Sequence, residues 1–114
     1  MGGSATDPGW LRATLEMAVL ATLTEGDRHG YALAQRLGDQ GLGTIRGGVL
    51  YPVLTRLEAE AAVSSTWQAG AGGPGRKVYA ITDDGRRRLD GQWQAWQRFT
   101  ATLDEFLRQT MEQP

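Results

Sequence analysis

The sequence predicts one α+β domain, mainly helical: three helices, a two-stranded hairpin, then a long last helix. Three observations carry that reading. Apolar residues recur at spacings of three and four through Trp10 to Leu23, Leu33 to Leu37 and Leu50 to Leu57, as on helices. Around a glycine-rich stretch, Val63 to Trp67 and Lys77 to Ile81 are short, β-branched and aromatic, as in strands. From Leu89 onward an apolar seam at spacings of four and three continues almost to the C-terminus.

Composition sets the bounds. A chain of 114 residues with 40% hydrophobic residues has the size and apolar content of one ordinary domain. Cysteine is absent and His29 is the single histidine, which excludes a disulfide framework, a thiolate nucleophile and the usual Cys/His metal sites. No nucleophile, base and orienting acid come together, so no catalytic set, metal or cofactor is expected. The longest nearly apolar run, Ala18 to Leu23, is far short of the roughly 20 residues that cross a bilayer. A cytoplasmic protein without membrane contact is expected. Residues 1–9 read as a flexible tail; Met1 to Thr6 match the M-G-x-x-x-[ST] acylation pattern, but no basic second anchor follows, and the lipid is discarded.

Trp10 to Leu23 forms the first helix, with Leu11, Leu15, Ala18 and Val19 on one face and Trp10, Met17, Leu20 and Ala21 on the other. A helix apolar nearly all round is covered on both sides, and a second copy of the chain could supply the outer cover. Asp27 is the expected N-cap of a second helix running to Leu37 and ending near Gly38 or Gly41. The third helix is GGVLYPVLTRLE, with Leu50, Leu54 and Leu57 on its inner face together with Val53 and Ala61. A proline inside a helix costs roughly 3 kcal/mol. If the helix starts near Gly47 or Gly48, Pro52 lies at the end of the first turn, where backbone donors have no intrahelical partner, and the cost falls. The hairpin follows, with Ala69 to Gly75 as a long flexible loop. Thr82 caps the last helix, and Asp83 and Asp84 oppose its dipole favourably. Its seam comprises Leu89, Trp93, Trp96, Thr100, Leu103, Leu107 and Thr110, widened by Phe99 and Phe106. A rod this long outruns the body of so small a domain and needs a partner surface. The expected divisions are a tail (1–9), a winged helix-turn-helix unit (10–82), a dimerisation helix (83–110) and a short tail (111–114).

Three helices and a two-stranded wing make the winged helix-turn-helix arrangement, whose third helix enters the DNA major groove. Net charge is −1, but between Arg46 and Lys77 the four residues Arg46, Arg56, Arg76 and Lys77 outnumber Glu58 and Glu60. The outward face of the third helix presents Gly48, Pro52, Thr55 and Ala59, flanked by Tyr51 and Arg56. It is small and uncharged at its centre, where solvated faces carry Lys and Glu. Thr55 can exchange hydrogen bonds with base edges, Arg56 can reach guanine or phosphate, and Pro52 can touch a thymine methyl. Gly70 to Lys77 nearly fits a nucleotide-binding loop, but Arg76 replaces the lysine, Lys77 replaces the hydroxyl and a strand follows. The segment reads instead as a wing whose Arg76 and Lys77 grip phosphates, or else as a mobile hairpin with solvated charges.

Trp10, Trp93 and Trp96 stay open to two readings: packing at a helix-helix dimer seam, or an aromatic slot between subunits where a planar ligand stacks. Met17, Leu89, Trp93, Trp96, Phe99, Leu103, Phe106 and Leu107 join Trp10 in the expected dimer interface. Arg86, Arg87 and Arg88 spread round nearly a whole turn and read as helix support. His29 reads as a hydrogen-bonding residue at the helix entry.

Over Leu11 to Leu107 the chain resembles the PadR family of transcriptional regulators, in particular its short-chain, multidrug-sensing members. The matching pieces are Leu11-Arg12-Ala13-Thr14-Leu15-Glu16, His29-Gly30-Tyr31, Leu50 to Glu58, Gly73 to Tyr79 and Ile81 to Gly85, and their order makes the match specific. The resemblance implies a homodimeric repressor on an inverted-repeat operator. It places the family's phosphate-contacting tyrosine at Tyr51, groove-facing positions at Gly48, Pro52 and Thr55, and the drug-sandwiching tryptophan at Trp96. Two departures stand out. Arg46-Gly47-Gly48 replaces the usual Glu or Ser before the helix glycine, and Ala61-Ala62 replaces the usual acidic-glycine turn after that helix. Two rival readings remain: a sensing or sequestering dimer with DNA binding secondary, and a winged-helix protein-interaction module.

Overall fold

The computed structural model describes residues 8–70 and 72–112. Residues 1–7, which carry most of the expected tail and the acylation pattern, and residues 113–114 lie outside them. In order, the elements are α1 (Pro8–Thr24), β1 (Arg28–His29), α2 (Gly30–Leu37), α3 (Gly47–Ala59), β2 (Val63–Gly70), β3 (Gly73–Ile81) and α4 (Asp83–Met111). Among the described residues no helix is long and apolar enough to cross a membrane.

One core forms where α1, α2 and α3 meet the root of the sheet. Leu15, Val19, Leu20, Leu23, Leu33, Leu50, Leu54, Leu57 and Val63 are fully buried, with Tyr79 closing the sheet side. Burying one such side chain contributes about 1.5 to 3 kcal/mol. Leu20 corrects the wheel drawn for the first helix: expected on the outer face, it lies in the chain's own core, and Trp10, Met17 and Ala21 remain outside it. The helix starts at Pro8, two residues before Trp10.

Asp27 does not cap the second helix. Arg28 and His29 are extended and pair antiparallel with Tyr79 and Val78, so the expected hairpin is a three-stranded sheet in the order β1-β3-β2. The cap is His29, whose Nδ1 faces the Ala32 N–H at 3.3 Å. A single π turn over Gly38–Leu42, with Gly41 at φ 88°, ends the α2 segment and turns the chain toward α3.

On α3 the leucine face is buried as expected, whereas Pro52 sits one turn later than expected. Arg46 is the N-cap, and the Leu50 N–H already bonds the Arg46 carbonyl at 2.9 Å. Pro52 is therefore in the second turn, and the ladder lacks the bond a donor there would make to Gly48. Its side chain is exposed, opposite the leucines. Ala61 does not extend the inner face: the helix stops at Ala59, and Ala61 takes φ 61°. The Ala62 N–H bonds Leu57 O at 2.9 Å and the Ala61 N–H bonds Glu58 O at 3.1 Å, the paired bonds of a Schellman close. The turn is made without the glycine that this backbone favours.

The wing is also longer than the sequence suggests. Most of the segment expected as a loop is strand, and β2 and β3 stay paired out to Gly70 and Gly73 with a register shift after Gln68. Glycine has no side chain to signal a strand, but the backbone ladder still forms. Thr82 caps α4 as expected, accepting from the Gly85 N–H at 2.9 Å.

Candidate DNA-reading face and ligand groove

Apart from Arg56, the residues expected to meet DNA are neighbours on α3 and on the strand beside it. Gly48, Tyr51, Pro52, Thr55 and Ala59 are exposed along α3, Arg46 stands at its start, and Arg76 and Lys77 rise beside it on β3. Tyr51 crosses the first residue of α2 so closely that a Cβ at Gly30 would collide with its ring. A side chain at position 30 would push this half-exposed ring aside, so the glycine lets the Tyr51 hydroxyl rest where it does. At the wing root Glu58 accepts from Ser65 Oγ at 2.5 Å and Lys77 Nζ at 3.1 Å, which holds its carboxyl below the usual range. The wing is thereby tied to α3, while the Lys77 ammonium keeps two further donors.

Arg56 is placed differently from the rest. Its guanidinium donates to Glu16 Oε1 at 3.0 Å, across the helix bundle. Glu16, on α1, also accepts Arg88 Nε at 2.8 Å and Nη2 at 3.0 Å, and the Gln92 amide. Arg88 reaches on to Glu60 at 2.7 Å. Burial pushes the Glu16 carboxyl upward, yet the hydrogen bonds from Arg88, Gln92 and Arg56 outweigh it and bring it from the usual 4.5 to about 2. One carboxylate thus joins α1, α3 and α4. Nothing in the spacing of Glu16, Arg56 and Arg88 signals this, because the partners are 40 and 72 residues apart.

The tryptophans do not share one groove within a chain. Trp96 and Phe99, with ring centroids 6.5 Å apart, flank an open groove of about 390 Å³ with Arg12, Glu16, Met17 and Arg56. Trp93 lies on another flank beside Ala21, Thr24 and Leu89, and Trp10 lines neither. Leu89 is half-buried against the core, whereas Trp93, Phe99, Leu103, Phe106 and Leu107 are exposed.

A helical trio, a three-stranded wing and an outward-facing third helix define a winged-helix regulator. The chain belongs to the PadR-like family of transcriptional regulators, whose family model matches residues 19–91. It is 36% identical over 78 residues to the transcriptional regulator Rv3488 of Mycobacterium tuberculosis, covering 68% of this chain and 71% of that one. Its fold is similar to that of a PadR family regulator from Eggerthella lenta, with TM-score 0.81, 35% identity and coverage of 87% and 86% of the two chains. A PadR-like regulator from Bacillus cereus is similar at TM-score 0.75 and 31% identity, covering 88% of this chain and 97% of that one.

Proposed function

We propose that the chain is a homodimeric DNA-binding repressor. In this reading α3 lies in the major groove of an inverted-repeat operator, the wing holds the backbone, and a planar aromatic ligand in the Trp96 groove releases the complex. The observation that carries it is the outward face of α3: small, free of carboxylates at its centre and flanked by Arg46, Tyr51 and Arg76. An acidic face would have favoured a protein-interaction module. The exposed seam from Trp93 to Leu107 supports the dimer, because aromatic stripes of this length are covered in solution. Two copies would bring both Trp96 grooves to a shared interface.

Selection from a random duplex pool tests the reading. The wild type should enrich a two-fold-symmetric sequence, and Tyr51→Ala combined with Thr55→Ala should lose that enrichment while staying folded. No enrichment by the wild type would sink it. Planar cationic or phenolic aromatics should quench tryptophan fluorescence, and Trp96→Ala should remove the effect; quenching that survives in the variant means Trp96 is not the platform.

A further inference from the structure

Beneath the wing, His29 makes two contacts that one neutral imidazole cannot satisfy together. Its Nδ1 faces the Ala32 N–H at 3.3 Å, and its Nε2 lies 2.8 Å from Arg76 Nη1. Both neighbours are donors, and a guanidinium has no acceptor to offer. A neutral ring carries one N–H and one lone pair. If Nδ1 accepts from Ala32 and caps α2, Nε2 carries hydrogen and points at another donor. If Nε2 accepts from Arg76, the cap is lost. With the cap in place, the ring N–H and the guanidinium converge with no acceptor between them.

Their surroundings specify what would resolve the conflict. The two groups open into a cleft of about 460 Å³ between the wing and the start of α2, also lined by Tyr31, Tyr51, Trp67 and Lys77. Among the described residues no carboxylate lines this cleft, and Arg76 has no carboxylate partner. The exposed Tyr31 ring stacks on His29 at 6.4 Å and 12°, holding the imidazole plane. An anion with oxygens in more than one direction can accept from both groups at once, as phosphate does.

We propose that His29 and Arg76 together seat one backbone phosphate of duplex DNA in this cleft. The inference rests on the DNA-binding reading and adds His29 to the interface. The phosphate oxygens accept from the Nε2–H and the guanidinium, leaving Nδ1 to cap α2. The seat lies on the same side as Tyr51 and brackets the backbone from the wing side.

A random-sequence duplex is a sufficient probe, because a phosphate contact acts whatever the sequence. His29→Asn keeps a capping oxygen and removes the Nε2–H. Binding measured by anisotropy at graded salt should weaken about three- to tenfold in His29→Asn with the slope of log K against log salt kept, because a neutral ring displaces no counterion. Arg76→Ala should weaken binding as well and lower the slope by about one. The double variant should bind about as Arg76→Ala does, because both groups serve one phosphate. Wild-type affinity in His29→Asn, or losses that simply multiply in the double variant, overturns the shared seat. A wild type that binds no duplex overturns the DNA reading itself. A second measurement needs no variant: His29 is the single histidine, so its ring proton resonance is unambiguous. That resonance should move with duplex and stay put with inorganic phosphate at equal phosphate concentration. Equal movement with both would reassign the seat to a small phosphate ligand, and no movement with duplex would overturn it.

Discussion

The leucines of α3 and the aromatics of distal α4 have similar helical spacing and opposite surroundings. Leu50, Leu54 and Leu57 are at most 1% exposed, while Phe99 and Phe106 are each 59% exposed. The difference is in what stands opposite. Around α3 two helices and a sheet close over the apolar stripe; distal α4 extends past the head, in a molecule 66 Å long and 35 Å across. Periodicity records that a face is apolar and leaves open who covers it. In the head the chain covers itself; the rod's stripe stays uncovered, which is the ground for proposing a second copy there.

The comparison can be broken most directly by truncating both regions. Leu54→Ala should cost about 2 to 5 kcal/mol, a large share of the 5 to 15 kcal/mol typical of a domain, and lower the thermal midpoint accordingly. Phe99→Ala with Phe106→Ala should leave the head folded and convert the protein to a monomer in sedimentation at micromolar concentration. If the double variant unfolds the head, or stays dimeric, the rod is not a separate surface awaiting a second copy.

A smaller effect tests the junction between the two regions. Glu16→Gln should destabilise by about 1 to 3 kcal/mol at neutral pH, as expected for lost hydrogen bonds to a charged group. The carboxyl is held down in the folded state, so its contribution is fully present above about 4.5 and disappears as pH falls through about 2. Acid titration of stability should therefore be shallower in the variant. It should not vanish, since Glu25, accepting from Arg36 and Arg28, is also brought to about 2. The smallest change is a gain. Ala61→Gly relieves a left-handed alanine at the close of α3 and should stabilise by about 1 kcal/mol, read as a rise in urea midpoint at constant slope.

Much of the architecture was legible. The leucine face of α3, the Thr82 cap and the long last helix followed from spacing and cap chemistry. The strand at Arg28 and His29 did not, because two residues carry no period and their extended shape comes from pairing with β3. Leu20 was misplaced because a wheel cannot say how much of a helix its own domain will surround. At the site, the exposed residues of α3 were readable from their positions, whereas the engagement of Arg56 by Glu16 depends on a tertiary approach that spacing does not encode. His29 does hydrogen-bond at the helix entry as its position suggested, and it takes the cap itself in place of Asp27, a better capping residue by type that lies two positions too early.

Beside the Glu16 clamp, the corner where α4 begins is closed by backbone. Gly85, in the first turn of α4, lies so close to the Ala62 carbonyl that a Cβ would collide with it, and Ala62 O also accepts from Thr82 N at 3.1 Å and Thr82 Oγ1 at 3.0 Å. Such a corner has little compliance. Arg88 and Gln92 fasten the first turns of this helix to Glu16, and the part beyond, residues 93–111, is a lever arm of about 28 Å. A sideways load at Met111 would act as torque on the corner where α3 hands over to the wing, with no soft segment in between to absorb it.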